Sequence, residues 1–209
     1  MKRLDIIFED SSCVVINKPA GLAVQGGKGV GLCLDNILAQ KWERRPFLVH
    51  RLDKDTSGLI LVAKTSDAAR RFSHLMGGFL IKRYRAVCKG KPARAEVVIK
   101  ADIKIRGSIK KALTRCRLLS GTEEFSLLEL ELGTGRMHQI RRHLAMAGNP
   151  VLGDDKYGDF NLNHKLRTTH KLRHLLLHAS QIIIPETPDN ARLDISAPLP
   201  DYFQQFLAP

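Results

Sequence analysis

The sequence predicts one α+β domain around a large, mostly antiparallel sheet. Short apolar β-forming runs outnumber helical stripes, and no repeat or low-complexity linker divides the 209 residues. A hydrophobic content of 44% is enough for one ordinary core. Asp5 to Phe8 and Cys13 to Ile16 read as strands on either side of the polar turn Glu9-Asp10-Ser11-Ser12, and Lys18-Pro19-Ala20-Gly21 closes the second. Leu34, Ile37, Leu38 and Trp42 recur at helical spacing, which predicts a helix over 33–43. Phe47 to Val49 and Leu59 to Ala63 are strands flanking the polar run from His50 to Gly58. Ser66 is expected to cap a helix that reaches about Met76 and stops at Gly77-Gly78. The strand after it alternates Lys82, Tyr84 and Ala86 on one face with Arg83, Arg85 and Val87 on the other. Strands follow near 94–104, 112–119 and 125–132, and Thr134-Gly135-Arg136 turns into a helix from His138 to Ala147, stopped by Gly148-Asn149-Pro150. The tail holds a basic segment from His164 to Arg173, strands near 175–184 and 192–196, and a short helix after Pro200.

Thirty-four Lys and Arg against 21 Asp and Glu give a net charge of +13, spread along the chain rather than gathered in a tail. Such a surface suits a polyanion, nucleic acid being the commonest, and a basic soluble enzyme is the alternative. No apolar run approaches the roughly 20 residues of a membrane helix, and Met1-Lys2-Arg3-Leu4-Asp5-Ile6 turns acidic before a signal-peptide core forms. The expectation is a soluble cytoplasmic protein without a membrane partner. Cys13, Cys33, Cys88 and Cys116 are isolated, which argues for reduced core thiols rather than disulfides or a zinc site. Gly26, Gly27, Gly29 and Gly31 form a loop without phosphate-binding spacing.

The run His50-Arg51-Leu52-Asp53-Lys54-Asp55-Thr56-Ser57-Gly58 sets two carboxylates, an arginine, a histidine and two hydroxyls between apolar strands. A carboxylate oriented by a nearby arginine can act at a sugar or glycosidic centre, while a salt-bridged structural turn is the plainer reading. Asp53 lies nearer the strand end, and Asp55, before Thr56, suits a turn hydrogen bond. In Gly135-Arg136-Met137-His138-Gln139-Ile140-Arg141-Arg142-His143, cations gather at a helix start, where the dipole calls for an anionic neighbour. The pattern is not H-E-x-x-H. His170, His174 and His178 are four apart, but Leu175-Leu176-Leu177 argues for a strand that breaks a metal-binding face. No serine has a G-x-S-x-G context. Tyr84 beside Lys82, with Lys89 and Lys91 following, suits stacking on an unpaired base, although strand tyrosines more often fill a face.

The nine residues from His50 to Gly58 resemble the signature of the RluA family of RNA pseudouridine synthases. Other segments resemble family landmarks in the same order. They are Asn17-Lys18-Pro19-Ala20-Gly21, Lys82-Arg83-Tyr84-Arg85-Ala86, Gly135 to His143 with Gly153-Asp154 and Tyr157-Gly158, Leu177-His178-Ala179, and Ala197-Pro198-Leu199-Pro200. The resemblance covers essentially the whole chain. It implies the family's catalytic fold, two lobes around a central cleft, and an isomerase that converts uridine in RNA to pseudouridine without cofactor or metal. Residue by residue, it implies that Asp53 is the essential aspartate, Tyr84 the aromatic stacked on the target base, and Arg141 the arginine paired with the aspartate. Arg51 matches the residue entering the RNA stack where the uridine has left. Ile140 and Leu177 match apolar walls, and Leu52, Arg136 and His138 lie within the substrate-binding motifs. Whether the aspartate acts as nucleophile or as base at the sugar is open.

Met137 and Arg142 depart from the family's usual Thr and smaller apolar residue, and Gln25 from the His of many members. Many relatives acting on large-subunit ribosomal RNA carry a small RNA-binding domain ahead of the catalytic one, and the resemblance here begins directly at the catalytic domain. The stretch from Gly158 to Ala179 looks most like the ribosomal branch, making 23S ribosomal RNA the leading substrate and transfer RNA the runner-up. A monomer is expected. The rivals are a catalytically silent RNA-binding assembly factor on the same fold and, last, a metal-dependent nuclease.

Overall fold

A computed structural model of the protein describes residues 4–27, 31–105, 107–187 and 191–207. Gly29 of the expected glycine loop and the opening Met1 to Arg3 lie outside the described residues. In chain order the elements are β1 (Asp5–Glu9), β2 (Cys13–Lys18), α1 (Leu34–Trp42), β3 (Phe47–Leu48), β4 (Ser57–Ala63), α2 (Ser66–Leu75) and β5 (Ile81–Lys89). There follow β6 (Glu96–Lys100), β7 (Ile103–Ile105), β8 (Ser108–Lys110), β9 (Leu113–Gly121), β10 (Phe125–Leu132), α3 (Gln139–Met146), α4 (Phe160–Thr169), β11 (Leu177–Ile184), β12 (Leu193–Ser196) and a 3-10 helix (Asp201–Phe206). The expected α+β class is borne out. The ladders are antiparallel, some between consecutive strands (β1 with β2, β9 with β10) and others between strands apart in the chain (β2 with β4, β5 with β10, β6 with β9), and an isolated parallel bridge links Ala23 and Cys33.

The chain divides into two compact units. The first, Met1–Ile81 with Ala179–Ala197, carries the strand order β1-β2-β4-β11, with β3 on β4 and β12 on β11. β4 (SGLILVA) is buried at every position, as a continuous apolar run demands, whereas β1 alternates exposed and half-buried residues at the edge. Ala68, Phe72 and Leu75 of α2 pack on Cys13, Val15, Leu59, Leu61 and Ile182. A fully buried side chain such as Phe72 contributes about 1.5–3 kcal/mol. The cap of α2 is Thr65, not Ser66: its hydroxyl accepts from the Ala68 N–H at 3.2 Å, and Ser66 is already the first helical residue.

The second unit, Lys82–His178 with Pro198–Pro209, orders its strands β5-β10-β9-β6, with β7 and β8 a separate two-stranded ribbon. The expected strand over 94–104 is thus two strands, broken at Ala101-Asp102. β10 alternates half-buried and buried residues, so Leu128 and Leu130 enter the core while Glu129 and Glu131 meet Arg117 and Arg83 outside it. A helix the sequence left as a basic segment, α4, is capped by Asp159, whose carboxylate accepts from the Leu162 N–H at 2.9 Å. Val87, Leu152, Leu166, Leu176, Phe203 and Phe206 form a core of this unit. No helix among the described residues is long and apolar enough to cross a membrane.

Candidate active site

Asp53 sits half-buried in the loop between β3 and β4. The loop is closed by the Thr56 N–H donating to the Asp53 carbonyl at 3.2 Å and tied to the preceding segment by the Gly21 N–H on the Lys54 carbonyl at 3.0 Å. Beneath it lies Lys18, the last residue of β2, with 0% exposure. Its ammonium donates to the carbonyls of Pro19 (3.0 Å), Leu22 (2.9 Å) and Lys54 (3.0 Å), so three hydrogens meet three acceptors. Burial pushes its pKa down to about 8, against the pull of the Asp55 and Asp53 carboxylates. The loop thus rests on a buried cation within electrostatic reach of both acids.

Two further contacts shape this loop. The β3–β4 ladder ends at Leu48 and Val62, and the next donor, the Leu61 N–H, is accepted by His50 Nε2 at 3.0 Å. The imidazole stands in for a strand carbonyl, which requires the neutral ring with its proton on Nδ1. Arg51 is exposed and donates to Gln25 Oε1 at 3.4 Å, so one departure from the family pattern meets the residue expected to enter the RNA stack. Leu52 is buried.

At the loop's end Gly58 has φ 105°, and a Cβ there would lie 2.3 Å from the Ala179 carbonyl oxygen and 2.5 Å from its nitrogen. β4 and β11 approach so closely that no side chain fits between them. Gly58→Ala is expected to cost more than about 3 kcal/mol. The melting temperature should fall by roughly 10 °C or more, read by thermal unfolding in circular dichroism.

The second constellation lies in the other unit. Tyr84, on β5, is 6% exposed. Lys82, on the same strand face, has its amine 3.9 Å from where a Gly135 Cβ would stand, and burial lowers its pKa. The Thr134-Gly135-Arg136 turn is pinned by Gln139, whose Oε1 accepts from Thr134 Oγ1 (2.6 Å) and the Arg136 N–H (3.0 Å). Its Nε2 donates to the Leu113 carbonyl and to Thr114 Oγ1. His143, fully buried, lies between Thr114 Oγ1 and the Ala101 carbonyl at 2.9 Å each, which makes it a structural strut and not a ligand. Arg142 donates to the Lys104 carbonyl at 3.0 Å, giving that departure from the family pattern a hold on the β7–β8 ribbon.

Arg141, the third residue of α3, is 5% exposed and forms a two-point ion pair with Asp154: Nε to Oδ2 at 2.7 Å and Nη2 to Oδ1 at 2.8 Å. The anionic neighbour expected at this helix start is therefore Asp154. Burial pushes that carboxyl up, but Arg141 and the Tyr157 and Lys156 amides more than offset it and hold it below the usual range. His138 precedes α3 in the left-handed region, φ 52°, with Nδ1 3.0 Å from the Tyr157 hydroxyl. Arg136 is exposed, and Ile140 and Leu177 are buried. His170 ends α4 and His178 lies in β11. No His, Cys, Asp and Glu group placed to hold a metal occurs among the described residues.

The family model described as RNA pseudouridylate synthase matches residues 12–146, a span that includes both constellations as far as α3. The chain belongs to the RNA pseudouridylate synthase family. It is 38% identical to ribosomal large subunit pseudouridine synthase C of Rickettsia bellii over 96% of this chain and 70% of that protein. It is 34% identical to the synthase C of Vibrio cholerae over 97% and 68%. Among solved structures, human RNA Pseudouridylate Synthase Domain Containing 4 superposes with a TM-score of 0.82 at 30% identity, covering 97% of this chain and 91% of that one. The protein is an RNA pseudouridine synthase, an isomerase, as its family-like segments implied.

In this synthase the structure gives contacts to residues the sequence had placed only as landmarks. Lys18 was legible as a lysine closing a strand that opens with four apolar residues (CVVINK), and Asp154 as the acid of a Gly-Asp pair followed by Tyr157-Gly158. Neither signal names the partner, which comes from elsewhere in the chain.

Proposed function

We propose that this synthase isomerises specific uridines of ribosomal RNA, 23S RNA first, with Asp53 as its catalytic carboxylate. The similarity to ribosomal large subunit pseudouridine synthases C along nearly the whole chain carries the reading. The loop that carries Asp53 rests on a buried ammonium felt by Asp55 first and Asp53 second, and the choice of Asp53 between them is supported by its family-like motif. The bond between uracil N1 and ribose C1′ breaks, the base turns, and C5 bonds to C1′ while C5 gives up its hydrogen and N1 gains one. Asp53 acts at the sugar, as nucleophile or base. Tyr84 supplies the ring that stacks on the uracil and Arg141 the cation for the aspartate. Arg51, Leu52, Arg136, His138, Ile140 and Leu177 line the path of the RNA. The protein works as a cytoplasmic monomer.

Release of tritium from RNA labelled at uracil C5 tests the reading, because only formation of the new C5–C1′ bond expels that hydrogen. Release from large-subunit ribosomal RNA and not from transfer RNA is expected. Full retention with every RNA class would sink it, and release from transfer RNA alone would replace the substrate.

A further inference from the structure

The residue contacts of the second unit point beyond Arg141 to what holds it. The guanidinium is clamped on one edge by the Asp154 carboxylate and faced by the Tyr157 ring, whose centroid lies 5.3 Å from Arg141 Cζ. A fork bound through Nε and Nη2 leaves the plane of the guanidinium no freedom to rotate, and its Nη1 edge then points in one direction. Arginine side chains otherwise lose about 2 kcal/mol of rotamer entropy on ordering, so a group that must meet a reacting carboxylate in one orientation gains from being ordered in advance.

Asp154 is itself built in. It is 1% exposed, and its Oδ1 accepts from the Lys156 and Tyr157 amides at 2.9 Å each, besides Arg141. Its carbonyl accepts from Asn163 Nδ2 at 2.9 Å, and Asn163 Oδ1 accepts from the Gly153 N–H at 2.9 Å, so one buried asparagine of α4 grips the backbone on both sides of Asp154. Glycine is required on either flank. At Gly153, φ 76°, a Cβ would lie 2.1 Å from the His174 carbonyl oxygen, and at Gly158 it would lie 2.2 Å from the Asp154 carbonyl oxygen. The Tyr157 hydroxyl completes the frame on His138 Nδ1. A surface salt bridge needs none of this. Asp155, 73% exposed and 3.9 Å from Arg141 Nη2, is the ordinary kind and contributes little.

We propose that Asp154 is a positioning residue of the synthase: through its fork on Arg141, with Tyr157 against the guanidinium face, it presets the orientation in which Arg141 serves the reaction. The proposal rests on the catalytic reading given to Arg141. Asp154 is buried beneath the surface an RNA would meet, so it would act on turnover through Arg141 and not on RNA affinity.

The test is a double-mutant cycle of Asp154→Asn and Arg141→Lys, singly and together, assayed by tritium release at saturating and limiting RNA. Each single variant is expected to lose at least about tenfold in kcat with KM changed less than about twofold, and the double variant to be no worse than the poorer single one. Multiplying losses in the double variant, or a raised KM with unchanged kcat, would overturn the proposal. A second measurement needs neither substrate nor a folded Asp154 variant. In 15N spectra of the wild-type protein, the Arg141 Nε–H signal, assigned by its absence from Arg141→Lys, should exchange with water far more slowly than those of exposed arginines. Fast exchange would overturn the preset geometry. Lack of turnover by the wild-type protein on every RNA bears on the proposed function alone, and the exchange measurement still decides the clamp.

Discussion

Asp53→Asn is expected to lower the rate of pseudouridine formation by at least about 10⁴-fold while leaving RNA affinity within a few-fold of wild type. The amide keeps the shape of the side chain, and the loop is held by groups the substitution does not touch: the Thr56 N–H on the residue 53 carbonyl, the Gly21 N–H and the Lys18 ammonium on the Lys54 carbonyl, and His50 on the Leu61 N–H. Melting temperature should therefore move by no more than about 2 °C, since one kcal/mol shifts a chain of this size by roughly 2–4 °C. On the role proposed for Asp53, what disappears is the negative charge that would attack or deprotonate the sugar, which an amide does not replace. The substitution leaves the +13 excess of Lys and Arg in place, so RNA binding is expected to keep its dependence on salt. Tritium release and a filter-binding titration on the same RNA read the two effects separately. A variant retaining even a hundredth of wild-type turnover would remove Asp53 from the chemistry.

Most strands and the first three helices were legible because their signals are local, whereas the break at Ala101-Asp102 and the short exposed strand β8 carry no such signal. β4 reads as a buried strand from its own seven residues, and α1 from the Leu34, Ile37 and Leu38 stripe. α4 was missed because only Asn163 and Leu166 of it are buried, too few to make a stripe among basic residues. The capping of α2 went to Thr65 over its neighbour Ser66, a one-residue choice between equally able hydroxyls. The candidate site divides in the same way. Asp53, Tyr84 and Arg141 stand in distinctive motifs, but the groups that hold them are distant in sequence: Lys18 is 36 residues from Lys54, and Asp154 is 13 from Arg141. A single sequence shows that a lysine ends a mostly apolar strand without showing the three carbonyls around it.

Lys18→Met should have the second largest effect. Methionine fills the volume of the buried stem but leaves the Pro19, Leu22 and Lys54 carbonyls without their donor. Removing a buried charge relieves a desolvation penalty, and stranding three acceptors costs about 1–3 kcal/mol each unless water reaches them, so the balance favours a net loss of about 2–4 kcal/mol. That corresponds to a melting temperature lower by roughly 5–15 °C. Turnover should fall at least about tenfold, because the Asp53 loop loses its floor.

The pH dependence separates this role from plain stability. The pKa of Lys18 is pushed down from 10.5 to about 8 in the fold, first by burial. Below pH 8 both folded and unfolded chains hold the proton, and the group's burial penalty is fully present. Between about pH 8 and 10.5 the unfolded chain binds a proton that the folded one has released, so through this group stability rises with pH over that window. Turnover should move the other way. A neutral amine has two hydrogens for three carbonyls and no charge toward Asp53 and Asp55, so wild-type kcat should decline above about pH 8 while the melting temperature does not decline on Lys18's account. The uracil imide also ionises on the alkaline side, and Lys18→Met shares that effect. The difference between the two alkaline profiles therefore isolates the lysine, and superimposable profiles would show that the ammonium under the Asp53 loop has no part in turnover.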